Sequence, residues 1–214
     1  MLDLAPSMFI SHIIVLLVAF PIHEFAHAWT ANFFGDDTPR LAGRLTLNPL
    51  VHLDVLGSIL LVVAGFGWAK PVPVNPYVLS LRSSSAYMLV SFAGPVSNFF
   101  MAVLAAIPFK LGLVSAADAQ LSIITANNHI LPTAAQVLFV FIYINLLLML
   151  FNLIPFAPLD GEKIARYFLP SSWGIFLDQI RPFSPIILLA LVFLGLISNI
   201  LTPVLSWMMG IFIG

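Results

Sequence analysis

Apolar residues run almost unbroken from about Met8 to Phe34 before Gly35-Asp36-Asp37 ends the stretch. At 1.5 Å per helical residue that run is long enough to cross a hydrocarbon core about 30 Å thick. A second run, Val55 to Ala64, follows His52 and Asp54 and gives way to Gly65-Phe66-Gly67. It is too short to cross and is expected to form a re-entrant or interfacial hairpin. In Trp68-Ala69-Lys70-Pro71-Val72-Pro73-Val74-Asn75-Pro76, the prolines forbid a helix and favour extended backbone, an edge on which an unwound substrate could pair. Two more spans are expected, from about Ala86 to Phe109 and from about Pro132 to Leu153, with a polar loop over 111–131 between them. After Asp160-Gly161 the pattern predicts a short amphipathic helix carrying Glu162, Lys163 and Arg166, then a fourth span from about Pro185 to Leu201. The tail, Pro203 to Gly214, either extends that span past a proline kink or lies in the interface.

Composition decides the solvent in which these elements fold. The chain is 61% apolar and 8% charged, with a mean hydropathy of +1.07, far outside the soluble globular range. The expected fold class is therefore an all-α polytopic membrane protein with the lipid bilayer as its surroundings. A net charge of -1 without a basic cluster excludes nucleic acid as a partner. Cysteine is absent, which excludes disulfides, a thiolate nucleophile and thiolate-bound metal, so any metal must be held by His and carboxylates. The first residues lack the basic start of a signal peptide, and the first apolar run is read as a retained span. Arg40, Arg44, Lys70 and Arg82 lie between spans one and two, and Lys163, Arg166 and Arg181 between spans three and four. Lys and Arg in short loops mark the cytoplasmic side. That orientation puts His23 and His27 in the inner half of span one and Asp160 at the cytoplasmic end of span three, at a common depth.

The chemistry begins with His23-Glu24-Phe25-Ala26-His27. Residues four apart on a helix share a face, so the two imidazoles can clasp one metal ion. Zinc brings the pKa of water towards ~7, and Glu24, one step round the helix, is placed to accept the proton as that water attacks a peptide carbonyl. With so few His and Glu in the chain, His-Glu-x-x-His would arise by chance in about one in a thousand shuffled sequences. Two histidines and a glutamate in one apolar helix are also costly without a task. A catalytic zinc takes three protein ligands and keeps one position open. Asp160, in Phe151-Asn152-Leu153-Ile154-Pro155-Phe156-Ala157-Pro158-Leu159-Asp160-Gly161, is the best candidate for the third, where two prolines break the helix and Gly161 permits a turn that aims the carboxylate inward. An Asx turn or helix cap is its alternative reading, and His52 and Asp54 compete for the ligand position. Asn152 reads equally as an amide for a developing oxyanion or as interhelical glue. Ser97 and Asn98, after Gly94-Pro95, read as packing, and His12 and His129 have no partner at useful spacing.

His23-Glu24-Phe25-Ala26-His27, Gly94-Pro95-Val96-Ser97-Asn98 and the run from Asn152 to Leu159-Asp160-Gly161 resemble the site-2 protease family of intramembrane zinc metalloproteases, in its compact bacterial form. Gly43-Arg44-Leu45-Thr46-Leu47-Asn48-Pro49 and the stretch from Gly65 to Pro76 are similar to one subgroup; Asp54-Val55 departs from it, where the subgroup has Asp-Pro. The resemblance covers most of residues 20–165. It implies a three-helix catalytic core with additional C-terminal helices, one Zn2+ per chain on His23, His27 and Asp160, Glu24 as catalytic base, and a polar role for Asn152 near the scissile peptide. It further implies a catalytic unit over residues 1–168, C-terminal membrane segments over 169–214, membrane-anchored protein substrates, and a bacterial inner membrane with the active site towards the cytoplasm. Two rival readings use the same His pair: a metal transporter, and a scaffold that binds helices without cutting them. Transport calls for polar groups on several spans, which spans two and four lack centrally, and a scaffold has no use for Glu24.

Overall fold

The computed structural model describes residues 4–55, 57 and 69–214. Among them the chain is helical throughout, with no strand, and five helical segments are long and apolar enough to cross a membrane. The first, α1 (Pro6–Phe33), starts on a proline, which suits a first turn whose N–H needs no partner, and carries Pro21 two residues before His23. Two single turns follow, α2 (Thr38–Leu41) and α3 (Pro49–His52), and then α4 (Pro76–Arg82), begun by Asn75, whose side chain accepts from the Tyr77 and Val78 N–H groups. Helix α5 (Ala86–Lys110) is the second span. Helix α6 (Ala116–Ile124) lies where the sequence suggested only loop; Ser115 caps it by accepting from Ala117 and Asp118 N–H. Thr133 caps the third span, α7 (Ala134–Asn152).

Beyond it lie the amphipathic α8 (Asp160–Phe168), then α9 (Ser171–Ile180), α10 (Ser184–Phe193) and α11 (Leu196–Ile213). The expected span from Pro185 to Leu201 is not one helix. Gly195 adopts φ 71, a left-handed conformation that ends α10 and lets the chain restart as α11. The fourth candidate crossing is therefore Ser172–Phe193, and the tail after Pro203 belongs to a fifth candidate, Leu196–Ile213.

Helices α1, α5 and α7 form the three-helix core, with α5 in contact with both others and with α8. Val15, Leu16 and Ala19 of α1 interlock with Met101 of α5 and with Val140 and Ile144 of α7. Ala102, Ala106 and Phe109 of α5 meet Ile142 and Leu146 of α7 and Leu205 of α11. Small residues on the central helix are what allow the backbones so close. Large apolar side chains face outward instead, among them Phe100, Leu104, Phe193 and Trp207, while His23, His27, Asn98 and Asn145 are buried. Apolar outside and polar inside is the arrangement of an integral membrane protein.

The hairpin expected over Val55–Ala64 lies outside the described residues. On its flanks, Leu53 and Ala69 form one antiparallel bridge, and the Lys70 N–H donates to the His52 carbonyl at 2.7 Å. The buried Arg44 guanidinium donates to the carbonyls of Val51 (2.8 Å), Lys70 (3.3 Å) and Pro71 (3.5 Å), joining the two flanks. Residues 71–75 form neither helix nor strand, Asn75 has extended backbone, and β-pairing next to them is confined, among the described residues, to that single bridge.

Candidate metal centre

Four residues of spacing place His23 and His27 on one face of α1, and both rings turn towards α5, where their closest approach is Nε2 to Nε2 at 3.0 Å. The chain between α7 and α8 delivers the third group. Pro155 and Pro158 prevent α7 from continuing, and Leu159 rather than Asp160 takes the cap position, so Asp160 is the first residue of α8. Gly161 is required for contact, not for a left-handed turn: a Cβ there would collide with the Leu153 and Ile154 carbonyls. This close approach brings the Asp160 Oδ2 to 3.3 Å from His23 Nε2 and 3.1 Å from His27 Nε2. All three residues are buried, and they form the one group of three or more potential ligands among the described residues.

The protonation of His27 tests whether such a cluster fits a cation. Its Nδ1 lies 2.7 Å from the Val90 carbonyl, which can only accept, so Nδ1 carries a proton and, in the neutral ring, Nε2 presents a bare lone pair. That lone pair, the second imidazole and a carboxylate oxygen converge at about 3 Å, an arrangement that repels itself unless a positive charge sits among them. For a four-coordinate ion with bonds of about 2.0–2.1 Å, neighbouring ligand atoms stand about 3.3 Å apart, close to the spacings found. Space for the ion comes from Gly94 on α5: a Cβ built there would overlap His27 Nε2 and lie 2.6 Å from both Cε1 and Nε2 of His23. Gly94→Ala is therefore expected to push a methyl into the position the imidazoles point at. Metal content of the purified protein should drop by about tenfold or more with helical content unchanged; a Gly94→Ala protein that keeps its metal would contradict this geometry.

The other oxygen of Asp160 is held by Lys163, one turn along α8, at 3.1 Å. Burial alone would raise the Asp160 carboxyl, but positive charge on the imidazole side and the Lys163 ammonium outweigh it and hold the group well below the usual carboxylate range. Burial likewise works against the Lys163 ammonium, and Asp160 beside it more than compensates, so its pKa is raised. Glu24 stands half-buried on the turn between the histidines. Asn152, the last residue of α7, donates its amide to the Leu148 carbonyl at 2.9 Å. His52 and Asp54 take no part: His52 Nε2 lies 2.8 Å from the Thr46 carbonyl, and Asp54 accepts from the Gly57 N–H. His12 bonds the Met8 carbonyl within its own helix, and Ser97 the Gly94 carbonyl.

Asn98 departs from its packing role. Its Oδ1 lies 2.5 Å from His23 Nδ1, and its amide nitrogen donates to Asn145 Oδ1 at 2.9 Å. A signal for Asn98 was present in the spacing, since it falls four residues after Gly94 on the face turned to the imidazoles. Asn145 and Lys163 were not singled out; Lys163 could have been found from its i,i+3 relation to Asp160.

An imidazole pair with an adjoining glutamate, and a remote aspartate converging on it inside a bundle of helices apolar enough to cross a membrane, are the residues a membrane-embedded metalloprotease requires. The chain belongs to peptidase family M50, the site-2 protease family, whose sequence model matches residues 11–194. It is 41% identical over 194 residues to the "Putative zinc metalloprotease YwhC" of Bacillus subtilis (strain 168), covering 91% of this chain and 85% of that protein. It is also 38% identical over 94 residues to the "Putative zinc metalloprotease Rip2" of Mycolicibacterium smegmatis, there covering 41% of this chain and 35% of that protein. No solved structure matches the chain.

Proposed function

We propose that this protein is a zinc endopeptidase that cuts membrane-anchored proteins within or at the edge of the bilayer, with His23, His27 and Asp160 as the zinc ligands and Glu24 as the catalytic base. The observation that carries the reading is the convergence of two imidazole Nε2 atoms and one Asp160 oxygen, beside Gly94, inside a membrane-crossing bundle. Zinc, when bound there, supplies the Lewis acidity that polarises a peptide carbonyl and makes a water proton removable near neutral pH. Glu24 takes that proton and passes it to the departing amine nitrogen. Asn152 keeps one amide hydrogen beyond its bond to Leu148 and offers it to the substrate backbone or the developing oxyanion. Lys163 holds Asp160 Oδ1, so that Oδ2 is the oxygen presented to the imidazoles.

The basic residues Arg40, Arg44, Lys70 and Arg82 after α1 and Lys163 and Arg166 after α7 support a site that faces the cytoplasm of a bacterial inner membrane, by the bias of Lys and Arg to that side. The test is cleavage of a panel of single-span proteins by the purified chain in lipid, before and after removal of metal with a strong chelator. Cleavage should cease on chelation and return with one equivalent of Zn2+; cutting that survives complete removal of metal would refute the proposal.

A further inference from the structure

Three buried groups on three helices form a single hydrogen-bonded chain: His23 Nδ1 to Asn98 Oδ1 at 2.5 Å, Asn98 Nδ2 to Asn145 Oδ1 at 2.9 Å, and Asn145 Nδ2 to the Phe141 carbonyl at 2.9 Å. Both asparagines are fully buried, so neither has water as an alternative partner. An asparagine amide can face either way, and taken alone the Asn98–His23 contact does not say which atom donates. The far end of the chain resolves this. The Phe141 carbonyl only accepts, so the Asn145 atom against it is the NH2 and its oxygen faces Asn98. Asn98 must then donate to that oxygen and turn its own oxygen to His23. The remaining consequence falls on the imidazole, whose Nδ1 must carry the proton and whose Nε2 is left bare towards Asp160 and His27.

We infer that Asn145 is a positioning residue of the metal site, which acts through Asn98 to hold His23 in the tautomer that can bind a metal. The inference rests on His23 being a metal ligand, as proposed above. The two imidazoles are thus oriented by different devices. His27 meets a backbone carbonyl directly, at Val90, whereas no carbonyl of α5 is within reach of His23 Nδ1 in the bonds described, and its orientation is transmitted from α7 through two amides. Without Asn145, the Asn98 amide loses the acceptor that sets its direction. A rotated Asn98 would offer NH2 to His23 Nδ1, moving the ring proton to Nε2, where it blocks the metal.

Three forms of the full chain in detergent test this: wild type, Asn145→Leu, and Asn145→Leu combined with Asn98→Asp. A carboxylate at 98 has an acceptor on each oxygen and so has no wrong orientation. Zinc affinity is read by competition with a chromophoric chelator, and the His23 tautomer by 15N imidazole resonances of the zinc-free protein, assigned with His23→Gln. The zinc-free wild type should show His23 protonated at Nδ1. Asn145→Leu should weaken zinc on the order of 10–100-fold and give rise to the Nε2-protonated form. The double variant should recover most of that affinity, although the Asn98–Asn145 bond is still missing. A merely structural Asn145 would move neither the tautomer nor the rescue.

Unchanged zinc affinity in Asn145→Leu, or a loss that Asn98→Asp does not repair, overturns the inference. So does an Nε2-protonated His23 in the wild type, a result that stands even if the leucine variant fails to fold. A wild type that binds no zinc would instead overturn the reading of the site, and its His23 tautomer would still judge the relay.

Discussion

Glu24→Gln should abolish peptide cleavage and leave the metal in place. The substitution keeps the shape of the side chain and removes its capacity to take a proton. Glu24 is outside the group of three converging ligands, so nothing that grips the ion is lost. A positioned general base contributes about 10²–10⁴-fold to a rate, and here the same carboxylate also returns the proton to the leaving nitrogen, so the deficit belongs at the upper end. Turnover of a single-span substrate, followed together with metal content by mass spectrometry, checks both halves. Residual cleavage near the wild-type rate would remove Glu24 from the mechanism, and loss of the metal would make it a ligand instead.

Asp160→Ala should empty the site. The carboxylate stands directly against the imidazoles, with Oδ2 within 3.3 Å of both and Oδ1 paired to Lys163. Removing it deletes the proposed third ligand and takes the ion-pair partner from the part-buried Lys163 ammonium, a change that disfavours a cation beside the imidazoles. The metal affinity lost should exceed the ~10–100-fold that changes in the outer shell cost. Helix α8 should survive, because Leu159 and not Asp160 occupies its cap position. Equilibrium dialysis with Zn2+ measures the first outcome and circular dichroism the second. An Asp160→Ala protein that retains one tightly bound zinc would shift the third ligand elsewhere.

The parts of the fold that could be read from the chain are those punctuated by polar residues. Gly35-Asp36-Asp37 closes α1, Lys110 ends α5, and Pro155 with Pro158 stops α7, so the three core spans were placed to within a turn or so. After Arg181 that punctuation disappears. The stretch from Pro185 to Gly214 carries no charged residue, and Gly195 between two leucines is indistinguishable in composition from the glycines that membrane helices tolerate. Only its left-handed backbone reveals that the run is two helices.

The site divides in the same way. His23 and His27 share a turn of one helix, so local periodicity was sufficient to pair them. Asp160 is remote in sequence, and only tertiary placement brings it to the imidazoles and sets His52 and Asp54 apart from them: His52 bonds the Thr46 carbonyl in its own loop, and Asp54 caps its own turn. Asn145 lies in a helix that is mostly apolar, where one amide reads as glue between helices, and only its place at the end of a directed chain of hydrogen bonds separates it from that reading.

X-ray absorption at the zinc edge on purified wild-type protein tests the central claim most directly. The account predicts one zinc per chain with two imidazole nitrogens at about 2.0–2.1 Å and oxygen for the remaining ligands, a signature reduced to a single imidazole by His27→Ala. A zinc shell without paired imidazoles, or one unaltered by His27→Ala, would contradict it.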